Sequence, residues 1–274
     1  RTLVLQLGEV DWLVRQWPGP SLSAYHTQII PLFSPAAGPP YFSVAHPKAV
    51  ELLGKTPLFG VLHPDDLQEL ARTTRSRTYA RGDIIFHKDD PGYTLFVIVS
   101  GAVKISVSSS DGDEIILAIL TKGPFFGEMA LFDDMPRSAD AEAIQPTEVQ
   151  TVQREDLIRL LEKRPKVAIT QLLKVLGQRL RATDELLQDA AFLDIPSRLA
   201  KRLLDLAEGH GEKTPHGTKI NLRLTQQDLA SMIGARRENV NRALAYYQSR
   251  GWLSKEGGHF TILNEAQLRA RALL

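Results

Sequence analysis

The spacing of apolar positions changes twice along the chain, and each change marks a different kind of element. His63-Pro64-Asp65-Asp66 ahead of Leu67-Gln68-Glu69-Leu70-Ala71 reads as a helix start, with proline and two acids in the first turn. From Thr78 to about Val152 the apolar runs become short and β-branched: Asp83-Ile84-Ile85-Phe86, Thr94-Leu95-Phe96-Val97-Ile98-Val99, Ala102-Val103-Lys104-Ile105-Ser106-Val107 and Glu114-Ile115-Ile116-Leu117-Ala118-Ile119-Leu120. Arg81-Gly82-Asp83, Asp90-Pro91-Gly92, Ser100-Gly101, Asp111-Gly112-Asp113 and Lys122-Gly123-Pro124 separate them at intervals of about ten residues, which predicts a small β-sandwich or roll. Past Arg154-Glu155-Asp156 the period is helical again. Leu173, Leu176, Leu180, Thr183, Leu187 and Ala190 follow one another at alternating spacings of three and four, a heptad seam. On spacing alone, a helix packed on its own β-domain remains the alternative to a dimerisation helix. From Pro196 onward helical patterns alternate with short loops, and Gly251-Trp252-Leu253 with His259-Phe260-Thr261-Ile262-Leu263 predicts a hairpin.

Charge refines this order. The chain of 274 residues carries 33 Lys and Arg against 32 Asp and Glu, so the whole-chain balance suggests no nucleic-acid partner. Residues 192–274, however, hold 13 Lys and Arg against 8 Asp and Glu, and the basic third is the one that phosphates would attract. There is no cysteine, which removes disulfides, cysteine zinc sites, thiol switches and cysteine-ligated clusters together. Glu9 and Asp11 interrupt the only early apolar run, so no secretory leader is expected. The uncharged stretch from Gln16 to Pro47 contains seven prolines, Pro18, Pro20, Pro31, Pro35, Pro39, Pro40 and Pro47, and cannot be one spanning helix. Residues 1–50 therefore read as an irregular extension, with no membrane partner.

The most specific stretch runs Phe126-Gly127-Glu128-Met129-Ala130-Leu131-Phe132-Asp133-Asp134-Met135-Pro136-Arg137-Ser138-Ala139. Glycine allows close backbone approach, backbone N–H groups of a short helical turn can face an anion, Arg137 offers a planar fork for phosphate oxygens, and Glu128 can accept from a ribose 2′-hydroxyl. Taken singly, Arg137 could instead pair with Asp133 or Asp134, and Gly127 could simply serve a turn. Taken together, the stretch resembles the phosphate-binding cassette of cyclic-nucleotide-binding domains. Gly127, Glu128, Met129, Arg137 and Ser138 are the ligand residues this resemblance implies.

Leu224-Thr225-Gln226-Gln227-Asp228-Leu229-Ala230-Ser231-Met232-Ile233-Gly234-Ala235-Arg236-Arg237-Glu238-Asn239-Val240-Asn241-Arg242-Ala243-Leu244 reads as two short helices around a turn at Gly234. Thr225 is the predicted N-cap with Asp228 as its capping-box partner, and Leu229, Ile233, Val240 and Leu244 face inward. Arg237, Glu238 and Arg242 then share the outer stripe of the second helix. This stretch resembles the helix-turn-helix of the cAMP receptor protein (catabolite activator, FNR-type) family of bacterial transcription regulators.

The resemblance covers roughly residues 56 to 265. It implies that Arg237 and Arg242 read guanine, that Glu238 reads a cytosine amine, and that Arg236, Thr225 and Gln226 lie near phosphates, with Asn239 in the same DNA-binding set. It also implies that Arg179 and Thr183 reach the ligand from the long helix. Asp184 stands where cAMP-responsive members often carry a small hydroxyl that touches the opposite subunit's ligand, and so departs from their pattern.

The expected class is α+β: a cyclic-nucleotide-binding β-roll (jelly-roll) over residues 51–163, a dimerisation helix and hinge over 164–193, and a winged helix-turn-helix over 194–274. The implied function is a cytoplasmic transcription regulator, controlled by a cyclic nucleotide, cAMP foremost. It would bind double-stranded DNA at near-palindromic sites as a homodimer and act on RNA polymerase. Arg137→Ala is expected to abolish the ligand response while sparing the fold. A cyclic dinucleotide effector, or no effector, is the alternative within the fold. An architectural DNA protein and a nucleotide-regulated enzyme are the rivals outside it, although the chain holds no G-x-S-x-G elbow, H-E-x-x-H pair or Walker loop.

Overall fold

The protein is described as a computed structural model covering residues 47–163 and 165–273. Two short helices, α1 (Pro47–Gly54) and α2 (Pro64–Thr73), precede the strands β1 (Arg75–Tyr79), β2 (Ile84–Phe86), β3 (Thr94–Ser100), β4 (Val103–Ser108), β5 (Glu114–Leu120) and β6 (Phe125–Phe126). One turn of helix, α3 (Met129–Phe132), separates these from β7 (Asp140–Ala143) and β8 (Thr147–Gln153). The irregular extension expected through residue 50 is corrected at its end, because residues 47–50 belong to α1. Ala49, Leu52 and Leu53 of that helix are buried with Leu95 and Val97. The rest of the extension lies outside the described residues.

The eight strands form two four-stranded sheets, ordered β1-β8-β3-β6 and β2-β7-β4-β5. Phe96, Ile98, Val103, Phe126, Ala141 and Val149 fill the space between them. The alternate residues of β3, Leu95 and Val97, point the other way, into a second cluster formed with α1, α2 and the helices after β8. Both faces of β3 are thus covered, which is why its sequence is an unbroken apolar run rather than an alternating one. β1 lies at a sheet edge with Arg75, Ser76, Arg77 and Thr78 exposed, a charged edge of the kind that discourages strand addition.

Helix α4 (Arg154–Lys163) packs back on the roll through Leu157 and Leu160, and α5 (Pro165–Phe192) then runs for 28 residues. Leu172 and Val175 of α5 rest on the roll, while Leu173, Leu180 and Leu187 of the predicted seam are more than 60% exposed. After a break at Leu193 and Asp194 come α6 (Ile195–His210), β9 (Gly211–Thr214), β10 (Gly217–Ile220), α7 (Gln226–Ile233), α8 (Arg237–Ser249), β11 (Leu253–Glu256), β12 (His259–Ile262) and α9 (Glu265–Ala272).

The predicted hairpin is present as β11 and β12, but the wing is larger than expected. β9 and β10 extend it to a four-stranded sheet, β11-β12-β10-β9. Leu199, Leu203, Leu229, Val240, Leu244, Tyr247, Phe260 and Leu268 make the core of this module. No described helix is long and apolar enough to cross a membrane.

Candidate functional site

A cavity of about 880 Å³, counting its open mouth, lies between the β2-β7-β4-β5 sheet, α3 and α5. Its apolar wall comes from Phe86, Ile105, Leu117, Ala118 and Leu120, and its polar groups converge from the turn after β6 and from α5. Gly127, Glu128, Met129, Arg137, Ser138, Arg179 and Thr183 all line it. Asp184 is exposed and does not line it. The wall residues escaped the sequence reading because an apolar residue in a strand looks the same whether it meets a core or a cavity. The half-exposed Leu117 beside the buried Ile116 is the one alternation that marks the difference.

Gly127 is what lets Arg137 in. Its φ is +79°, and a Cβ there would stand 2.5 Å from Arg137 Nη1, so any side chain meets both backbone strain and a clash. Arg137 is only 5% exposed. Its Nη1 donates to the Gly127 carbonyl at 2.5 Å and its Nη2 to the Thr94 carbonyl at 2.8 Å, with the guanidinium 4.3 Å from the centre of the Phe86 ring. Burial lowers its proton affinity, and Glu128 and Asp90 oppose that, but a guanidinium keeps its charge. Neither Asp133 nor Asp134 takes it: Asp134 pairs with Arg154, and Asp133 accepts from the Met135 N–H. The guanidinium is therefore a fixed, desolvated cation at the cavity wall, with its Nε buried and unpartnered.

Glu128 is fully buried. Arg179 of α5 pairs with its Oε1, donates to the Phe125 carbonyl, and lies 5.5 Å from the Phe125 ring. The resemblance places Arg179 toward phosphate; here it clamps the carboxylate instead, and Thr183 returns its hydroxyl to the Arg179 carbonyl at 3.0 Å. Glu128 Oε2 remains buried without a partner. A buried polar atom left open costs about 1–3 kcal/mol, and Glu128 and Arg137, both in the cavity wall, each hold one, an acceptor and a cationic donor. A molecule with a hydroxyl and an anionic phosphate fits that pair. Ser138 adds an exposed hydroxyl, 3.5 Å from the Met129 sulfur, at the mouth.

In the C-terminal module Thr225 caps α7, with its hydroxyl accepting from the Asp228 N–H at 3.0 Å while Asp228 accepts from the Thr225 N–H at 2.7 Å. Gly234 ends the helix in the left-handed region, at φ +60°. That turn sends α8 off with Val240 and Leu244 buried and Arg236, Arg237, Glu238 and Arg242 exposed on one side. Asn239, half-buried, accepts from Arg242, and Gln226 opens α7 beside the exposed Thr225. Tyr247 donates to the Pro196 carbonyl at 2.6 Å, which ties α8 to the start of α6. Three cations and a carboxylate on the solvent side of a helix held this rigidly can meet phosphates and base edges. Among the described residues no cluster of three or more His, Asp or Glu side chains is placed to hold a metal ion.

Comparison with known proteins follows the same division. The family model of the cyclic nucleotide-binding domain matches residues 76–164, and that of the Crp-like helix-turn-helix domain matches residues 197–271. The CRP-like cAMP-activated global transcriptional regulator of Mycobacterium tuberculosis is 36% identical over 222 residues, 81% of this chain and 99% of that protein. The Cyclic AMP receptor protein of Thermus thermophilus is 34% identical over 189 residues, 69% of this chain and 84% of that protein. Among solved structures, the c-di-GMP responsive global regulator CLP of Xanthomonas campestris is 27% identical with a TM-score of 0.65, covering 73% of this chain and 99% of that one. These relatives are regulators of transcription and not enzymes, and with them this chain, an α+β cyclic-nucleotide-binding roll joined to a DNA-binding helix-turn-helix, belongs to the cAMP receptor protein family of transcription regulators.

Proposed function

We propose that the chain is a cAMP-responsive homodimer that binds near-palindromic operators and acts on RNA polymerase in the cytoplasm. The observation that carries the ligand reading is the meeting of a buried carboxylate, Glu128, and a buried guanidinium, Arg137, each with one unpaired polar atom, in the wall of one apolar cavity. The carboxylate suits a ribose 2′-hydroxyl and the guanidinium a cyclic phosphate, with Ser138 and Thr183 also in the lining. The relatives named for cAMP, from M. tuberculosis and T. thermophilus, support that nucleotide. The X. campestris regulator named for c-di-GMP, together with Asp184, supports a second reading in which the effector is a cyclic dinucleotide.

The exposed Leu173, Leu180 and Leu187 support pairing of α5 with a second copy. Pairing presents two α8 helices to major grooves about 34 Å apart, one DNA turn, where Arg237 and Arg242 donate to guanine and Glu238 accepts from cytosine. Arg236, Thr225 and Gln226 lie near the phosphates of the site, with Asn239 in the same DNA-binding set. A nucleotide biases this dimer only by binding one arrangement better than another.

Calorimetric titration of the full chain with cAMP, cGMP and c-di-GMP, followed by operator selection from a random pool with and without the binder, tests the reading. Saturable cAMP binding at one site per chain, with operator affinity that changes in its presence, is the expected result. Binding of c-di-GMP alone replaces the effector; no binding to any of the three, or operator affinity indifferent to them, overturns the sensing half.

A further inference from the structure

Strand β5 serves two neighbours. It is one edge of its sheet, and Leu117, Ala118 and Leu120 line the nucleotide cavity. Ile116, 2% exposed, and Ile119 instead join the apolar cluster of the DNA-binding module. Two long polar contacts flank that junction: His210 Nδ1 with Thr121 Oγ1 at 3.5 Å, and Gln145 Nε2 with the Asn221 carbonyl at 3.4 Å. Beside them is a second cavity of about 400 Å³, where Arg202, Asp205 and His210 of α6 face residues 116–119 of β5.

We propose that this junction is a latch released by a proton: His210, enclosed between the end of α6 and the exit of β5, lets the DNA-binding module rest on the β-roll while its ring is neutral, and releases it when the ring is charged. The groups around the ring make it so. β5 presents apolar side chains and Thr121, α7 presents Met232, α6 presents Arg202 and Asp205, and Glu212 of β9 accepts from Asn221 at 3.3 Å. Among the described residues none of these carboxylates forms an ion pair with the imidazole, and Arg202 is a like charge to its protonated form. Burial alone acts on the ring and holds its pKa below the ordinary 6.5.

Asp205 is also affected by burial, which raises its pKa against the pull of Arg202 and Lys201, with Asp189 and Glu185 adding to the rise. That carboxyl acts in the opposite direction, favouring the docked arrangement in acid, so His210→Gln is the variant that isolates the histidine.

The sign follows from linkage. The docked arrangement has the depressed histidine pKa and the undocked one the ordinary value. Docking is therefore at full strength above about pH 6.5 and weakens as pH falls through the docked value. Each tenfold difference in proton affinity between the two arrangements lowers the docked-to-undocked ratio tenfold once both are protonated. The face of α8 bearing Arg237, Glu238 and Arg242 is exposed while docked, so the latch governs where the reading helix points and not whether it is free. The inference goes beyond nucleotide sensing and is tested without nucleotide.

Because the chain has no cysteine, Ser110→Cys and Gln248→Cys, both at exposed positions, take a fluorophore pair that reports the distance from the β4–β5 tip to α8. Labelled chain is diluted into unlabelled chain so that only distances within one copy are read. The expected result is constant transfer efficiency above pH 7, a fall as pH drops below 6.5, and no such fall for His210→Gln. A wild-type distance indifferent to pH, or an equal fall in His210→Gln, overturns the latch. A second readout needs no change at the histidine: NMR titration of the His210 ring should give a lowered pKa in the wild type and an ordinary one in Ile116→Ser. Equal values in the two proteins would overturn it as well.

Discussion

Arg137→Lys separates the two jobs that the structure gives this side chain. The guanidinium fork spans two backbone carbonyls, Gly127 at 2.5 Å and Thr94 at 2.8 Å, that point at different nitrogens. A lysine ammonium keeps the charge but is a single point at the end of a flexible stem, so it reaches one carbonyl and abandons the other. A hydrogen bond from a charged donor contributes about 1.5–3 kcal/mol, and Arg137 is 5% exposed, so little water replaces it. Loss of the planar contact over Phe86 adds about 0.5–1 kcal/mol. The sum, roughly 2–4 kcal/mol, lowers the melting temperature by roughly 4–16 °C for a protein of this size. The same lost fork weakens binding of an anionic nucleotide roughly 10- to 150-fold.

Differential scanning calorimetry reads the first quantity and isothermal titration the second. A melting temperature unchanged within about 1 °C would refute the anchoring argument, since two abandoned or strained carbonyls cannot be free of cost. A lowered melting temperature with unaltered nucleotide affinity would leave Arg137 as a structural residue only. Arg137→Ala, which the sequence alone suggests should spare the fold, is expected instead to destabilise it further. Both carbonyls and the faces of Phe86 and Phe96 lose their partner at once.

Three other outcomes are expected. Leu180→Asp places a charge in the middle of the exposed α5 stripe and should halve the mass seen in sedimentation equilibrium while leaving the circular dichroism of a single chain intact. Arg237→Ala should cost about 1–3 kcal/mol on the preferred operator and relax the sequence preference, with little loss on random DNA, as measured by competition binding. Asp194 caps α6, accepting from the Ser197 N–H at 2.8 Å and pairing with Arg271 at 2.6 Å. Burial opposes its ionisation, but these partners outweigh it and hold the carboxyl down to about 2. Its stabilisation is complete above pH 4 and is lost as pH falls toward 2. Asp194→Ala should therefore cost about 0.5–2 kcal/mol at pH 7, and its thermal midpoint should converge with that of the wild type near pH 2.

The elements most legible in the sequence were those whose pattern and environment agree. The glycine-separated β-branched runs became β2 to β5, and Thr225 with Asp228 formed the capping box, because local chemistry alone selects those conformations. β9 and β10 were missed. Gly211-Glu212-Lys213-Thr214 and Gly217-Thr218-Lys219-Ile220 have neither length nor alternation, and they are strands only because β12 offers β10 an edge. β1 was obscure for a related reason, as its Arg-Ser-Arg-Thr-Tyr is polar and gains its conformation from register with β8. At the cavity the charged and glycine residues stood out while the apolar wall did not. The pairing of Arg179 with Glu128 joins residues 51 positions apart and leaves no trace in local spacing.

The relative strengths of the contacts determine which part of the molecule can move as a unit. The junction rests on Ile116 and Ile119 of β5, whose full burial contributes about 1.5–3 kcal/mol each, with Ala102 and Ile144 beside them, and on two polar contacts of 3.4–3.5 Å that add little. Inside the module, Leu199, Leu203, Leu229, Val240, Tyr247 and Phe260 share one core, where truncating a single leucine or phenylalanine costs about 2–5 kcal/mol. Coupling between two sites is typically about 1–3 kcal/mol, enough to shift the junction and far too little to open the core. The reorientation proposed for the latch would turn the module as a rigid body about Leu193 and Asp194, where the long helix breaks. There the half-buried Asp189–Lys201 pair, at 2.7 Å, spans the break between α5 and α6 and is the contact that such a turn strains first.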